Sequence, residues 1–197
     1  TMLGNADLRI SLDGTTGGFT VRDVRTGRVW SPSDDAGWLV LGVKVSDDKL
    51  AATVSLLEPE TGIEMQAVFR VDERRPEVCV EISAEGPLAK PIDYPVPFAT
   101  RKGDRLIVPM NEGVGLPVDE EHKGLWRLVA YGGHGICMGF FGVADDKAGD
   151  GWMCILETPD DAAMNPRKSA LNGLWQVGPS WEATKGRFGY TRKARYV

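Results

Sequence analysis

Histidine is scarce in this 197-residue chain: only His122 and His134 occur, and they do not form an H-x-x-x-H spacing. Two isolated imidazoles point away from a zinc enzyme, whose metal needs several convergent ligands. Cysteine is also sparse. Cys79, Cys137 and Cys154 each lie within an apolar, strand-like run, with no C-x-x-C pair among them. That pattern predicts buried free thiols rather than a disulfide framework, and the odd count points to a reducing compartment. A G-x-S-x-G nucleophile elbow is missing, together with its strand–turn–helix setting. No apolar run approaches the roughly 18 residues of a membrane-spanning helix, and the first residues lack a basic-then-apolar leader. Charge of one sign is missing too. The 23 Lys and Arg are interspersed with 28 Asp and Glu, for a net charge of −5. A nucleic-acid partner would call for a clustered basic face, so neither nucleic acid nor membrane is expected.

What the chain does have is alternation. It is 42% apolar, enough to fill a substantial core, and its 24 glycines and 12 prolines imply many turns without any collagen-like period. Leu8, Ile10 and Leu12 share one face of a first strand. The clearest case is Ile63, Met65, Ala67, Phe69 and Val71, interleaved with Glu64, Gln66, Val68, Arg70 and Asp72. A helical stripe cannot produce that period-two pattern. Strands recur about every ten residues up to position 86, which reads as an antiparallel meander. Beyond it, prolines at 87, 91, 95, 97, 109 and 117 speak against regular central strands and any long helix. Strand character returns with YGGHGICMGFFGVAD and WMCILET, a buried hairpin around an acidic turn. Asp160–Met164 is expected to form one helical turn closed by Pro166. The fold class that follows is all-β, a large antiparallel sandwich of two sheets with very little helix, occupying residues 1–197 as a single domain.

Side chains able to do chemistry gather in loops. The stretch RLIVPMNEGVGLPVDEEH at 105–122 offers Glu112, Asp119, Glu120, Glu121 and His122. Further along come Glu157, Asp160 and Asp161. Glycoside hydrolysis needs two carboxylates flanking one bond, about 5–5.5 Å apart for retention or about 6.5–9.5 Å for inversion. Nothing in the spacing brings any two of these together. The acidic turn Asp145, Asp146, Asp150 lacks the residue order of a Ca²⁺ loop and reads as solvated. Six tryptophans are many for this length, and sugars stack on exposed aromatic faces. Trp152, inside WMCIL, belongs to the core, whereas Trp126 and Trp181, beside glycine- or proline-rich loops, are the surface candidates. Residues expected to contact carbohydrate or a neighbouring domain are therefore Glu112, Asp119, His122, Trp126 and Trp181. No catalytic residue, metal ligand or cofactor site is expected, and the 105–122 segment reads as a rigid loop at one end of the sandwich.

Three segments carry a resemblance: RLIVPMNEGVGLPVDE at 105–120, MGFFGVADDKAGDGWMCILETPDDA at 138–162, and GPSWEATKGRFGYTRKARYV at 178–197. Their order resembles the N-terminal β-supersandwich, galactose mutarotase-like, of large bacterial glycoside hydrolases related to the endo- and exo-α-N-acetylgalactosaminidases. The resemblance implies a sandwich that precedes a (β/α)₈ barrel in a larger protein and supports or walls a carbohydrate site on that barrel. Because the family's catalytic residues lie on the barrel, none transfers to a position here. Two other readings stand beside it. One is a free-standing aldose mutarotase or epimerase using His134 or His122 with a loop carboxylate; the other is a carbohydrate-binding module. Which sugar is recognised, the oligomeric state and the compartment stay open.

Overall fold

The structure is a computed structural model that describes residues 1–33, 37–122, 126–133 and 135–197. Its regular elements among these residues are all strands. In chain order they are β1 (Met2–Gly4), β2 (Leu8–Leu12), β3 (Phe19–Asp23), β4 (Val29–Trp30), β5 (Leu39–Val45), β6 (Ala51–Leu57), β7 (Glu64–Val71) and β8 (Val78–Ala84). There follow β9 (Phe98–Ala99), β10 (Arg105–Val108), β11 (Val114–Pro117), β12 (Leu128–Val129), β13 (Phe140–Asp145), β14 (Asp150–Leu156), β15 (Ala162–Lys168), β16 (Trp175–Trp181) and β17 (Arg192–Tyr196). No helix among the described residues is long and apolar enough to cross a membrane.

One layer is a nine-stranded sheet in the order β11-β10-β13-β14-β17-β8-β7-β6-β5, with antiparallel neighbours throughout. The other is built from two four-stranded sheets, β1-β2-β3-β4 and β12-β15-β16-β9. These are stitched together just past β4: Pro32 bridges Phe98, Ser33 N–H donates to the Pro97 carbonyl at 2.7 Å, and Ala99 N–H donates to that of Ser31 at 3.0 Å. The expected two-layer, all-β sandwich is what forms.

Alternation explains how the layers close. In β7 the residues Met65, Ala67, Phe69 and Val71 are buried while Glu64, Gln66 and Arg70 are exposed. Inward-facing aromatics meet at the centre. Phe19 and Phe98 of the composite layer pack against Phe69, Trp152 and Tyr196 of the nine-stranded sheet, with ring centroids 4.9–5.4 Å apart for Phe19–Phe98, Phe19–Phe69, Phe19–Tyr196, Phe98–Trp152 and Phe98–Tyr196. Most of these pairs are edge-to-face or tilted, which is worth about 0.5–1.5 kcal/mol each beyond area burial.

Several expectations are corrected. Residues 162–168 form β15 rather than following a helical turn, and Pro166 lies inside it, opposite Val177. Ala162 turns its carbonyl toward Ala130, so Ala162, Met164 and Pro166 share the edge that faces away from β16. Because β12 pairs only as far as Met164, the missing N–H of Pro166 leaves no ladder bond unmade. The 105–122 segment is not a continuous loop: β10 and β11 form a hairpin, and β11, which ends at Pro117, is an edge of the large sheet. Asn111 (φ 53°) and Gly113 (φ 90°) supply the left-handed conformations of its turn. Cys79 and Cys154 are buried free thiols as expected, but Cys137 is exposed.

Candidate functional site

The five residues singled out from sequence do not converge. Glu112 is exposed in the turn before β11, whereas Asp119 and His122 lie beyond its far end. Asp119 Oδ2 accepts the Gly103 N–H at 2.9 Å and so pins the turn that leads into β10. His122 Nε2 lies 2.6 Å from the Pro117 carbonyl, a contact that places the ring proton on Nε2, and its ring sits 6.2 Å from that of Trp175. Trp126 is exposed at 61%, in keeping with a surface position. Trp181 is not a surface residue: it is 0% exposed. Segment 87–97 folds over it, exchanging backbone bonds between Ile92 and Trp181, and the Trp181 indole donates to the Tyr94 carbonyl at 2.7 Å. His134, the alternative catalytic base, lies outside the described residues.

The carboxylates after position 140 are mostly paired with arginines. Arg28 reaches Asp145 and Asp104 at 2.8 Å each and Asp150 at 3.3 Å, tying the β13–β14 turn to the composite layer. The expectation of a solvated acidic turn is thus corrected for Asp145 and Asp150. The Arg28 hydrogen bond holds the Asp145 carboxyl below its usual value of 3.8. Glu157 accepts from Arg195 at 2.5 Å. Asp161 is gripped through both oxygens by Arg192, which is 0% exposed. The Arg192 guanidinium lies 3.6 Å from the centre of the Tyr190 ring and 4.2 Å from that of Phe188, and it donates to both of their carbonyls. These are structural clamps, and that of Arg192 is desolvated, with its guanidinium bonded to Asp161 and to two backbone carbonyls. Among the described residues no three His, Cys, Asp or Glu side chains gather as metal ligands.

The surface that stands out is the outer face of the nine-stranded sheet, which has two unlike halves. Over β10, β13 and β14 the outward positions are Arg105, Ile107, Phe140, Ala144, Met153 and Ile155, with Gly142 and Gly151 between them; Arg105 pairs with Asp146 at 2.9 Å. A Cβ on Gly142 would collide with the Trp152 carbonyl, and one on Gly151 would lie 2.5 Å from that of Val143. Glycine is therefore dictated by the close approach of β13 and β14, and the result is a shallow hollow of about 630 Å³ floored by bare backbone and walled by apolar side chains, Val197 included, with Asp145, Asp146 and Asp150 at its turn end. Over β8, β7 and β6 the outward residues are mostly polar, with Ala51, Leu57, Val68 and Cys79 among them. Ser83, Gln66 and Ser55 stand in register as one row, and the neighbouring Glu81 pairs with Lys193 at 2.8 Å. Sequence reading saw the outward positions of β7 but missed both halves as sites, because cross-strand register is not written in any one strand.

Geometry of this kind defines an all-β sandwich-like domain with two distinct exposed surfaces. Comparison by sequence matches no protein-family model and no curated protein. Comparison by structure matches the whole chain to part of the α-N-acetylgalactosaminidase NagBb from Bifidobacterium bifidum. Against its GalNAc complex the TM-score is 0.78 at 18% identity, covering 100% of this chain and 35% of that one. Its Gal-NHAc-DNJ complex gives 0.77 and its ligand-free form 0.74, with the same coverage. The likeness is one of fold, to a domain-sized part of a glycoside hydrolase. The chain spans about a third of the length of the chains it matches.

Proposed function

We propose that this chain is a non-catalytic β-sandwich domain, of the galactose mutarotase-like kind, in a glycoside hydrolase-like protein. Its task is to support or wall a carbohydrate site carried by a neighbouring catalytic barrel. The observation that carries the reading is the full-length fold match to a part, not the whole, of an α-N-acetylgalactosaminidase. Two features of the site agree with it. The loop carboxylates Glu157 and Asp161 are committed to Arg195 and Arg192, so neither is free to act as acid or nucleophile. The hollow over β10, β13 and β14 has the make-up of a face covered by more protein: aliphatic and aromatic side chains around exposed backbone, its aspartates confined to the β13–β14 turn and paired with Arg28 and Arg105. The matched chains carry nearly two thirds of their length outside the shared fold, which is where such a cover would come from. The test is turnover of an aryl α-N-acetylgalactosaminide by the purified 197-residue chain. No release of the aryl group above buffer is expected; steady hydrolysis that persists through repurification would overturn the reading.

A further inference from the structure

We propose that the polar half of the same sheet face is a binding groove for a neutral oligosaccharide, a site independent of the apolar hollow and of the domain that covers it. The groove measures about 1150 Å³, slightly above the usual size range of small-molecule sites and roomy enough for a short chain of sugar rings. Its floor is the row Ser55, Gln66 and Ser83, where Gln66 Nε2 donates to Ser55 Oγ at 3.2 Å. That bond orients the amide and turns its carbonyl oxygen to serve as an acceptor, while Ser83 offers a hydroxyl that both donates and accepts. Sugar hydroxyls need this mixture of donors and acceptors.

The wall is the loop 185–191, and its ring is Tyr190. Arg192 stacks on the Tyr190 ring, and burial together with the adjacent Asp161 carboxylate pushes the phenol up to about 12, so it stays neutral. The ring remains 39% exposed and lines the groove. An aromatic surface held this firmly loses little rotamer freedom when a sugar's C–H face packs on it. On the opposite side stands Leu41, 54% exposed where β5 breaks register against β6 between Val40 and Gly42. The charges cancel: Glu64 and Glu85 are matched by Lys185 and Arg187. A groove with balanced charge, amide and hydroxyl groups on its floor and one fixed ring suits an uncharged, hydroxyl-rich ligand better than an anionic one.

The experiment uses the 197-residue chain on an array of neutral, sialylated and sulfated glycans, followed by calorimetric titration with the strongest neutral ligand. Binding is expected for neutral oligosaccharides. It should weaken at least tenfold in Gln66→Ala and in Tyr190→Ala, and stay unchanged in Trp126→Ala and Met153→Asp. Tyr190→Ala also uncovers Arg192; if that variant does not fold, Gln66→Ala and Ser83→Ala, which leave the core untouched, decide the matter. Failure to bind any neutral glycan, a preference for the sialylated or sulfated ones, or full affinity in both Gln66→Ala and Ser83→Ala would each overturn the proposal.

Discussion

The two halves of the nine-stranded sheet share a backbone architecture and differ in what they show to the outside. Strands β5 to β8 are seven or eight residues long; β6 and β7 alternate cleanly, and the face mixes Thr53, Ser55, Glu64, Gln66, Arg70, Glu81 and Ser83 with apolar residues such as Leu57 and Val68 and the exposed Leu39 and Leu41 of β5. Strands β10, β11 and β13 have four to six residues, and with β14 they present Ile, Phe, Ala, Met and glycine outward, together with Arg105. An antiparallel sheet with one wet face gives the first pattern; a sheet meant to be covered on both faces gives the second. On the two proposals above, the more polar half meets small polar ligands and the more apolar half meets protein.

The largest expected effect lies at the anchor of the polar half. Replacing Arg192 by Met takes both guanidinium contacts from the half-buried Asp161 carboxylate, leaving it the Thr184 hydroxyl, and removes the support under Tyr190. Loss of one member of a buried pair costs about 3–5 kcal/mol, so urea unfolding of Arg192→Met should show a loss of that order. A variant as stable as the parent would mean that the clamp is ornamental. In the apolar half, Gly142→Val should cost about 1–3 kcal/mol by the same measurement, because the new side chain forces β13 and β14 apart. An unchanged midpoint there would mean that the hollow is not fixed by backbone proximity.

These two positions also mark what could be read from the sequence. Period-two runs such as Glu64–Val71 announce both the strand and its buried face, and the all-β sandwich followed from their recurrence along the chain. Pro166 misled, since proline stops a helix and also interrupts a ladder, yet on an open strand edge it does neither. Trp181 misled for a different reason: its cover comes from residues 87–97, a contact set by tertiary folding and invisible to local pattern. The groove was hidden because Ser55, Gln66 and Ser83 come from three strands. Each is an ordinary polar position until register places them side by side. Likewise the acidic turn looked solvated because its partner, Arg28, lies more than a hundred residues away in the chain.

That long-range tie gives a pH dependence with a definite sign. Asp145 has a depressed carboxyl in the folded state, so the stability it contributes is present above its usual value of 3.8 and is lost as pH falls through the lower, folded value. Asp145→Asn should therefore be less stable than the parent near neutral pH, and the two should converge as acid is added below 3.8. A gap that persists undiminished into strong acid would detach the β13–β14 turn from this account. The smallest effect is expected on the groove floor. Gln66→Ala changes an exposed side chain outside the core, and its stability should stay within about 0.5 kcal/mol of the parent, measured by thermal melting. A larger loss would mean that the Ser55–Gln66–Ser83 row holds the sheet together and is not free for a ligand.

The most direct test of the division between the halves is a titration of the 197-residue chain with a neutral oligosaccharide, followed by backbone amide NMR. Shifts should cluster at Ser55, Gln66, Ser83 and residues 185–191, with Ile107, Gly142 and Met153 unmoved. Shifts centred on Ile107, Gly142 and Met153, with the polar row silent, would contradict it.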